Sequence, residues 1–292
     1  MIRSHFAARL ATTLIIGFMI SLMSSSCKTN YISTLPPVAT QPSAPRGTGG
    51  LVPEHHVPRV AVGSITIDGR ADEPAWNLAP PIPLSNYWPD RPTTQRTLVR
   101  LLHTGTHLLV SFVCEDDNIV ATHTARDDHT FRDDCAEILF AAPVDGPPNE
   151  GLNIEINPAG YWNDVLFRVP NWLNHDWSPS DIEVATNITP SGWSVECSIP
   201  FSALADVVNT RGYDAIFDPA KRDFARAEAA LRQTPPVRLR ANFARWHRPE
   251  NAMTIWSDPQ RPRPHPLELD RYGWLLFQPE KVIRQESPSK IF

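Results

Sequence analysis

The chain has 292 residues, of which 41% are hydrophobic, so it is long enough to build one large domain or two small ones with a real core. Its formal net charge of −5 gives no reason to expect nucleic acid as a partner. Thirty prolines favour a loop-rich β protein, because proline interrupts helices and central strands.

The first 27 residues predict a targeting segment that is not part of the fold. Arg3 and Arg9 precede an apolar stretch, LATTLIIGFMISLM, that is short for a membrane span, and the segment ends in SSSC at Cys27. This arrangement resembles a bacterial lipoprotein signal, in which Cys27 becomes the lipidated first residue. Ordinary secretory cleavage near Ser26 is the alternative. With lipidation, we expect a membrane-anchored protein of the cell envelope, either in the periplasm or on the cell surface.

Residues 28–58 predict a tether. They are rich in Pro, Ser, Thr and Gly and have no apolar period, so they cannot bury enough surface to offset the entropy lost on ordering. Residues 280–292 are expected to form a C-terminal tail. The globular part should therefore span residues 59–279.

Residues 59–279 carry β signals. The stretch TLVRLLHTGTHLLVSFVCEDD predicts a hairpin with its turn at residues 104–106. Short runs bounded by Gly, Pro or Asn follow at intervals of about a dozen residues, which favours an antiparallel β-sandwich over βαβ units. The Ala- and Arg-rich residues 218–233 predict a short helical insertion.

Alternation within the predicted strands places polar side chains on one face, opposite the aliphatic ones. If these strands are neighbours, that face offers Glu137, Glu155, Glu196, Arg240 and Asn242 together. A solvated outer face is the simpler interpretation, since antiparallel sheets often have one. Cys114, Cys135 and Cys197 also lie in predicted strands, where free buried thiols are the default and one disulfide bridge is the alternative.

One stretch, TFRDDCAEILF, raises the question of catalysis, because paired carboxylates serve both glycosidases and sugar-binding proteins. Asp133, Asp134 and Glu137 lie within five residues of one another. A glycosidase needs two carboxylates about 5 to 10 Å apart, and Glu137 with Glu155 would supply them. The chain has no H-E-x-x-H, G-x-S-x-G, G-x-G-x-x-G or Walker motif.

Eight segments, taken in order, resemble the family 9 carbohydrate-binding module over about residues 60 to 278. The segments are ITIDGRADEPAW, LLVSFVCEDD, FRDDCAEILF, NIEINPAGYWND, SGWSVECSIPF, RLRANFARW, IWSDP and HPLELDRYGWLLF. The resemblance implies a jelly-roll-like, all-β antiparallel sandwich that binds carbohydrate without catalysis. Many members of this family are attached to xylanases and other glycoside hydrolases.

The resemblance also implies site residues. Phe131 and His265 stand at the positions of the two rings that sandwich a terminal sugar, where tryptophan is usual. Glu137 matches the acid that hydrogen-bonds sugar hydroxyls, and Asn157 and Asn242 match polar residues on other strands. Glu155 stands where sugar binders carry arginine, which reverses the charge at that position.

Structural calcium occurs in some members of the family, and the resemblance implies it here. The acidic stretch from Glu115 to Asp134 supplies the oxygen ligands that a hard cation needs. We expect Asp116, Asp117 and Asp134 to hold the ion. Because the spacing is not that of an EF-hand, a solvated acidic loop is the alternative.

Three functions are open at this point. The favoured one is a monomeric, lipid-anchored and non-catalytic protein that binds a polysaccharide or oligosaccharide in support of carbohydrate catabolism. The second is a hydrolase using the paired carboxylates. The third is a haem-binding redox sandwich, which has little support because Met253 is the only methionine outside the first 27 residues.

Overall fold

The structure of the protein, a computed structural model, covers most of the predicted β region. It describes residues 52–142, 148, 150–168, 172–205, 236–260 and 268–279. The predicted signal with Cys27, most of the tether, the helical insertion, His265 and the tail lie outside the described residues.

The described residues form strands and very little helix. The strands are β1 (Glu54–Val57), β2 (Ser85–Asn86), β3 (Thr97–His103), β4 (His107–Glu115), β5 (Cys135–Ala141), β6 (Glu150–Ile156), β7 (Trp162–Arg168), β8 (Trp172–Asn174), β9 (Glu183–Thr189), β10 (Gly192–Pro200), β11 (Arg238–His247), β12 (Ala252–Ile255) and β13 (Gly273–Phe277). A short α-helix spans Phe201–Leu204, and 3-10 turns span Pro74–Leu78, Thr130–Arg132 and Leu269–Arg271. This content confirms the predicted all-β class.

Two sheets face each other. In the larger sheet, of nine strands, the order is β1-β13-β11-β5-β6-β7-β8, and β12 and β2 extend from β11. The smaller sheet has the order β3-β4-β10-β9. The named strands pair antiparallel except β1, which runs parallel to β13. The predicted β-sandwich is therefore confirmed.

The core lies between the sheets and follows the alternation of the sequence. Trp193, Val195, Cys197 and Ile199 of β10 are all within it, as predicted. From the larger sheet, β5 and β6 contribute Ala136, Ile138, Phe140, Leu152, Ile154 and Ile156. Each apolar side chain removed from water stabilises the fold by roughly 1.5–3 kcal/mol when it was fully exposed before.

The predicted hairpin also forms, with β3 and β4 joined at residues 104–106. Gly105 has a φ of 99°, in the left-handed region that glycine enters without the steric cost of a Cβ. The three cysteines of the strands are free and buried, as expected. Within the described part of the chain, no helix is long and apolar enough to cross a membrane.

Two predictions about the organisation of the chain need correction. The tether does not extend to residue 58, because Glu54–Val57 forms β1 with Val57 in the core. Glu196 does not share a face with the other predicted polar residues, since β10 belongs to the smaller sheet. Its carboxylate instead accepts hydrogen bonds from the backbone N–H groups of Asp68 and Gly69 and from Trp76 Nε1, which anchors the segment before β2.

Candidate functional site

The outer face of the larger sheet carries two neighbouring glutamates whose carboxyl groups are shielded from water. Here β11, β5, β6 and β7 are consecutive neighbours. The register places Glu137 of β5 directly opposite Glu155 of β6, and Ala244 on the other side of Glu137. Because Ala136 and Ile138 face the core, both glutamates must face outward.

Glu137 is held beneath the surface of this face. Its side chain is only 2% exposed, so the solvated outer face expected as the simpler interpretation is wrong here. Oε1 accepts a hydrogen bond from Trp246 Nε1 at 2.8 Å, whereas Oε2 has no hydrogen-bond partner. Burial, and then the neighbouring charge of Glu155, raise the pKa of Glu137 to about 8.

Glu155 is partly buried and is oriented by two amides. It accepts hydrogen bonds from Asn153 Nδ2 at 2.8 Å and from Asn163 Nδ2 at 3.3 Å. Burial raises its pKa as well. The Oδ1 atom of Asn153 has no hydrogen-bond partner. The unpaired atom of Asn153 is thus an acceptor, and that of Glu137 is an acceptor when its carboxyl is ionised.

Arg248 supplies the positive charge beside these carboxylates. Its guanidinium lies over the ring of Trp246, 3.9 Å from the ring centroid, and its charge favours ionisation of both Glu137 and Glu155. Burial lowers the pKa of Arg248. We refer to Glu137, Glu155, Asn153, Trp246 and Arg248 as the acidic site.

An aromatic cluster borders the acidic site on the side of β12. The rings of Trp88 and Trp246 lie 5.7 Å apart, and Trp88 also contacts Tyr87 edge-on. Met253 and Ile255 complete the cluster. Sequence reasoning missed both tryptophans. Trp246 could have been found, because it continues the alternating face of RLRAN by four residues beyond Asn242.

Phe131 lies at the edge of this face, on the 3-10 turn that precedes β5. It is 38% exposed and its ring contacts that of His129 at a centroid distance of 5.4 Å. The turn is attached to β6, because Thr130 Oγ1 donates to the backbone oxygen of Glu155 at 3.2 Å. Phe131 is thus an accessible ring attached to the strand that carries Glu155.

Two predicted sugar contacts are engaged elsewhere. Asn157 donates to the His123 backbone oxygen and to Asp133, and accepts from the backbone N–H of Tyr161. Asn242 donates to the backbone oxygen of Ser257 and accepts from its N–H. Both amides join strands to loops, so a sugar contact at either position would cost existing hydrogen bonds. Arg240 lies on the same face and donates to the backbone oxygen of Asp270.

The acids predicted to hold calcium are largely committed to protein donors. Asp116 accepts from Arg245 Nη2 at 2.7 Å, and Asp134 accepts from the backbone N–H groups of Val120 and Arg248. A cation would have to displace these donors, and a guanidinium within hydrogen-bonding distance opposes it.

The described group with metal-ligand spacing contains two of the predicted residues, with His247 in place of Asp134. Asp116, Asp117 and His247 bring ligand atoms within 4.8 Å of one another. Calcium prefers oxygen ligands, so an imidazole does not suit it. Arg245 instead balances the buried charge of Asp116, and His247 Nε2 lies 3.4 Å from the same carboxylate. Asp116, Asp117 and Asp134 therefore do not fit a calcium ion in this arrangement.

Comparison with known proteins agrees with this architecture. Residues 67–261, more than half of the chain, match the model of the carbohydrate family 9 binding domain-like family. No curated protein matches the chain in sequence.

Two solved structures share the fold at low sequence identity. A proposed carbohydrate-binding protein from Bacteroides uniformis is 16% identical, with a TM-score of 0.57, and the match covers 78% of this chain and 100% of that one. A family 9 carbohydrate-binding module from Caldicellulosiruptor kristjanssonii, solved with cellotriose, is 13% identical, with a TM-score of 0.50 and coverage of 82% and 97%. The β-sandwich, its order of segments and the match to the family model lead to one conclusion: this chain belongs to the carbohydrate family 9 binding domain-like family, whose members bind carbohydrate and are not catalysts.

Proposed function

We propose that the protein binds one sugar unit of an oligosaccharide at the acidic site. The observation that carries this proposal is the buried carboxylate of Glu137, whose Oε2 lacks a partner beside the indole of Trp246. Sugar hydroxyls donate hydrogen bonds to carboxylates, and the apolar face of a pyranose packs on aromatic rings. The site places both kinds of group side by side, and a sugar ring would displace the guanidinium of Arg248 from the indole.

The ligand class follows from the family and from one solved relative. The module from Caldicellulosiruptor kristjanssonii was solved with cellotriose, so β-linked oligosaccharides are the first ligands to test. Phe131 offers a second ring at the edge of the face. Its phenyl ring is smaller than an indole, so its contribution to stacking should be modest.

Hydrolysis fits the geometry poorly. A glycosidase places its two carboxylates on opposite sides of the scissile bond. Glu137 and Glu155 stand side by side, directly opposite in register on neighbouring strands, where Cβ atoms are about 4.5–5.5 Å apart. The charge of Glu155 makes the ionisation of Glu137 less favourable. Both side chains point outward from the same face of the sheet, so they would contact a sugar from one side only.

The location of the protein belongs to the same proposal. Lipidation of Cys27, followed by a Pro- and Ser-rich tether, would hold the domain at a membrane of the cell envelope. Carbohydrate captured there would stay close to the enzymes that degrade it, which is the support for catabolism that we propose.

Titration calorimetry with cello- and xylo-oligosaccharides tests the binding. We expect a Kd on the order of 0.1–1 mM. One hydrogen-bonding carboxyl group and modest stacking contribute only slightly more free energy than association costs. Glu137→Ala should abolish detectable heat. Glu183→Ala is the matched control, since Glu183 is an exposed glutamate in β9 of the other sheet. Normal binding by Glu137→Ala, or none by the unaltered protein, would contradict the proposal.

A further inference from the structure

The acidic site contains buried polar atoms that have no hydrogen-bond partner in the protein. Asn153 Oδ1 is an acceptor without a partner, and Glu137 Oε2, which also has none, becomes an acceptor when its carboxyl is ionised; both residues are at least nine-tenths buried. Glu155 lies directly opposite Glu137. A positively charged donor placed here would favour the ionised form of Glu137 and supply the missing hydrogen bonds, so a cationic group suits the site better than a neutral one.

The chain itself already places a cation at this position. The guanidinium of Arg248 lies over the indole of Trp246, and its charge acts on both glutamates. Its Nε donates to the backbone oxygen of Asp133 at 3.2 Å, and the backbone N–H of Arg248 is held by Asp134. The guanidinium covers the aromatic face on which a sugar ring would stack. A group that combines a flat apolar surface with a positive charge thus fits the space beside Glu137 and Glu155.

We propose that the acidic site selects an amino sugar, whose ring stacks on Trp246 and whose ammonium group replaces the guanidinium of Arg248 beside Glu137 and Glu155. This inference rests on the proposed function of the same site and specifies its ligand. An ammonium group brings three donors and a charge, whereas a hydroxyl brings one donor and no charge. A uronic acid is disfavoured, because it would add a third carboxyl group beside two whose ionisation is already unfavourable.

A matched set of β-1,4-linked trimers tests the inference, because its members differ only at carbon 2. Cellotriose has a hydroxyl there, the trimer of glucosamine has an amine, and the trimer of N-acetylglucosamine has a neutral acetamide. Titrations at about pH 6 keep the amine protonated. We expect the glucosamine trimer to bind about tenfold more tightly than cellotriose, and the acetamide trimer to show no such advantage.

Two substitutions separate a site effect from attraction to the acidic surface. Glu155→Gln removes one charge and keeps the shape, so it should weaken binding of the glucosamine trimer far more than that of cellotriose and abolish the advantage of the amine. Glu183→Gln removes an exposed charge from the other sheet and should leave the advantage intact. Equal or tighter binding of cellotriose would overturn the inference and leave the proposed function standing. Loss of the advantage in Glu183→Gln instead of Glu155→Gln would also overturn it. Failure of every trimer to bind would overturn both.

Arg248→Ala tests the replacement itself. The substitution keeps the backbone N–H that Asp134 accepts, and it exposes the ring of Trp246 and removes the internal cation. Binding of the glucosamine trimer should strengthen several-fold. If Arg248→Ala lowers the melting temperature, Arg248→Met serves the same purpose, because its side chain still packs on the indole without charge. Weaker binding of the amine by both variants would show that Arg248 is a ligand contact, which would refute the inference.

Discussion

Replacing Glu137 by glutamine should change how the stability of the protein depends on pH. The folded state raises the pKa of this carboxyl from 4.5 to about 8. Between these values the folded protein binds more protons than the unfolded chain. The contribution of Glu137 to stability is therefore fully present below about pH 4.5 and is lost as the pH rises towards 8. The interval spans roughly 3.5 pH units, and each unit corresponds to about 1.4 kcal/mol. The free energy of unfolding that is lost through Glu137 between these pH values is therefore at most about 5 kcal/mol.

The substitution isolates this contribution from other groups. Glu155 and Glu196 have raised pKa values too and give slopes of the same sign, but they are present in both proteins. The amide of glutamine cannot ionise, its oxygen can accept from Trp246, and its nitrogen can donate to Glu155. We therefore expect Glu137→Gln to be more stable than the unaltered protein at pH 8, by a few kcal/mol, and similar to it at pH 5.

Urea unfolding followed by tryptophan fluorescence at pH 5, 6, 7 and 8 measures the effect. The difference in free energy of unfolding between the two proteins should widen steadily with pH. Glu183→Gln, at an exposed position, should follow the unaltered protein at every pH. Parallel curves for Glu137→Gln and the unaltered protein would refute the reasoning, because Glu137 would then have the same pKa in both states.

Three further predictions concern other parts of the chain. Trp246→Phe keeps a ring but removes the donor to Glu137 Oε1, so it should lower the free energy of unfolding by about 1–3 kcal/mol in urea titrations. Addition of calcium or of a chelator should leave the melting temperature unchanged, because Asp116 and Asp134 already accept protein donors; a rise with calcium would restore the calcium prediction. Cys27→Ala should move the protein to the soluble fraction of fractionated cells, and a variant that stays in washed membranes would exclude the lipid anchor.

The sequence was sufficient to predict the architecture because the folding signal is local. Alternating apolar side chains identify the inward face of each strand, and short turns separate the strands. This reasoning correctly placed Trp193 and Val195 in the core and Glu137 on the opposite face. It also predicted the free, buried state of the three strand cysteines.

Which strands pair with each other depends on residues far apart in sequence, and the predictions that failed depended on this pairing. Alternation assigns Glu196 to a face but cannot show that β10 lies in the smaller sheet. Three of the four residues of β1 are polar, so no strand pattern is visible in the sequence, and only the pairing with β13 makes them a strand. Whether an outward face is solvated depends on what covers it, and here Trp246 contacts Glu137 while Arg248 lies over the ring of Trp246. These two residues are more than a hundred positions away in sequence, so no pattern around Glu137 could reveal them.

The distribution of polarity on the outer face of the larger sheet argues for a binding role. On one side of the acidic site lies an apolar cluster with Trp88, Met253 and Ile255, and on the other lies one with Leu139 and Tyr272. An apolar pair in place of Glu137 and Glu155 would continue these clusters and avoid two like charges directly opposite each other, which destabilise a sheet. Folding alone therefore gives no reason for the pair, and its burial lowers stability at neutral pH. Groups that are held at a cost to stability are typical of sites where a ligand supplies the missing partners.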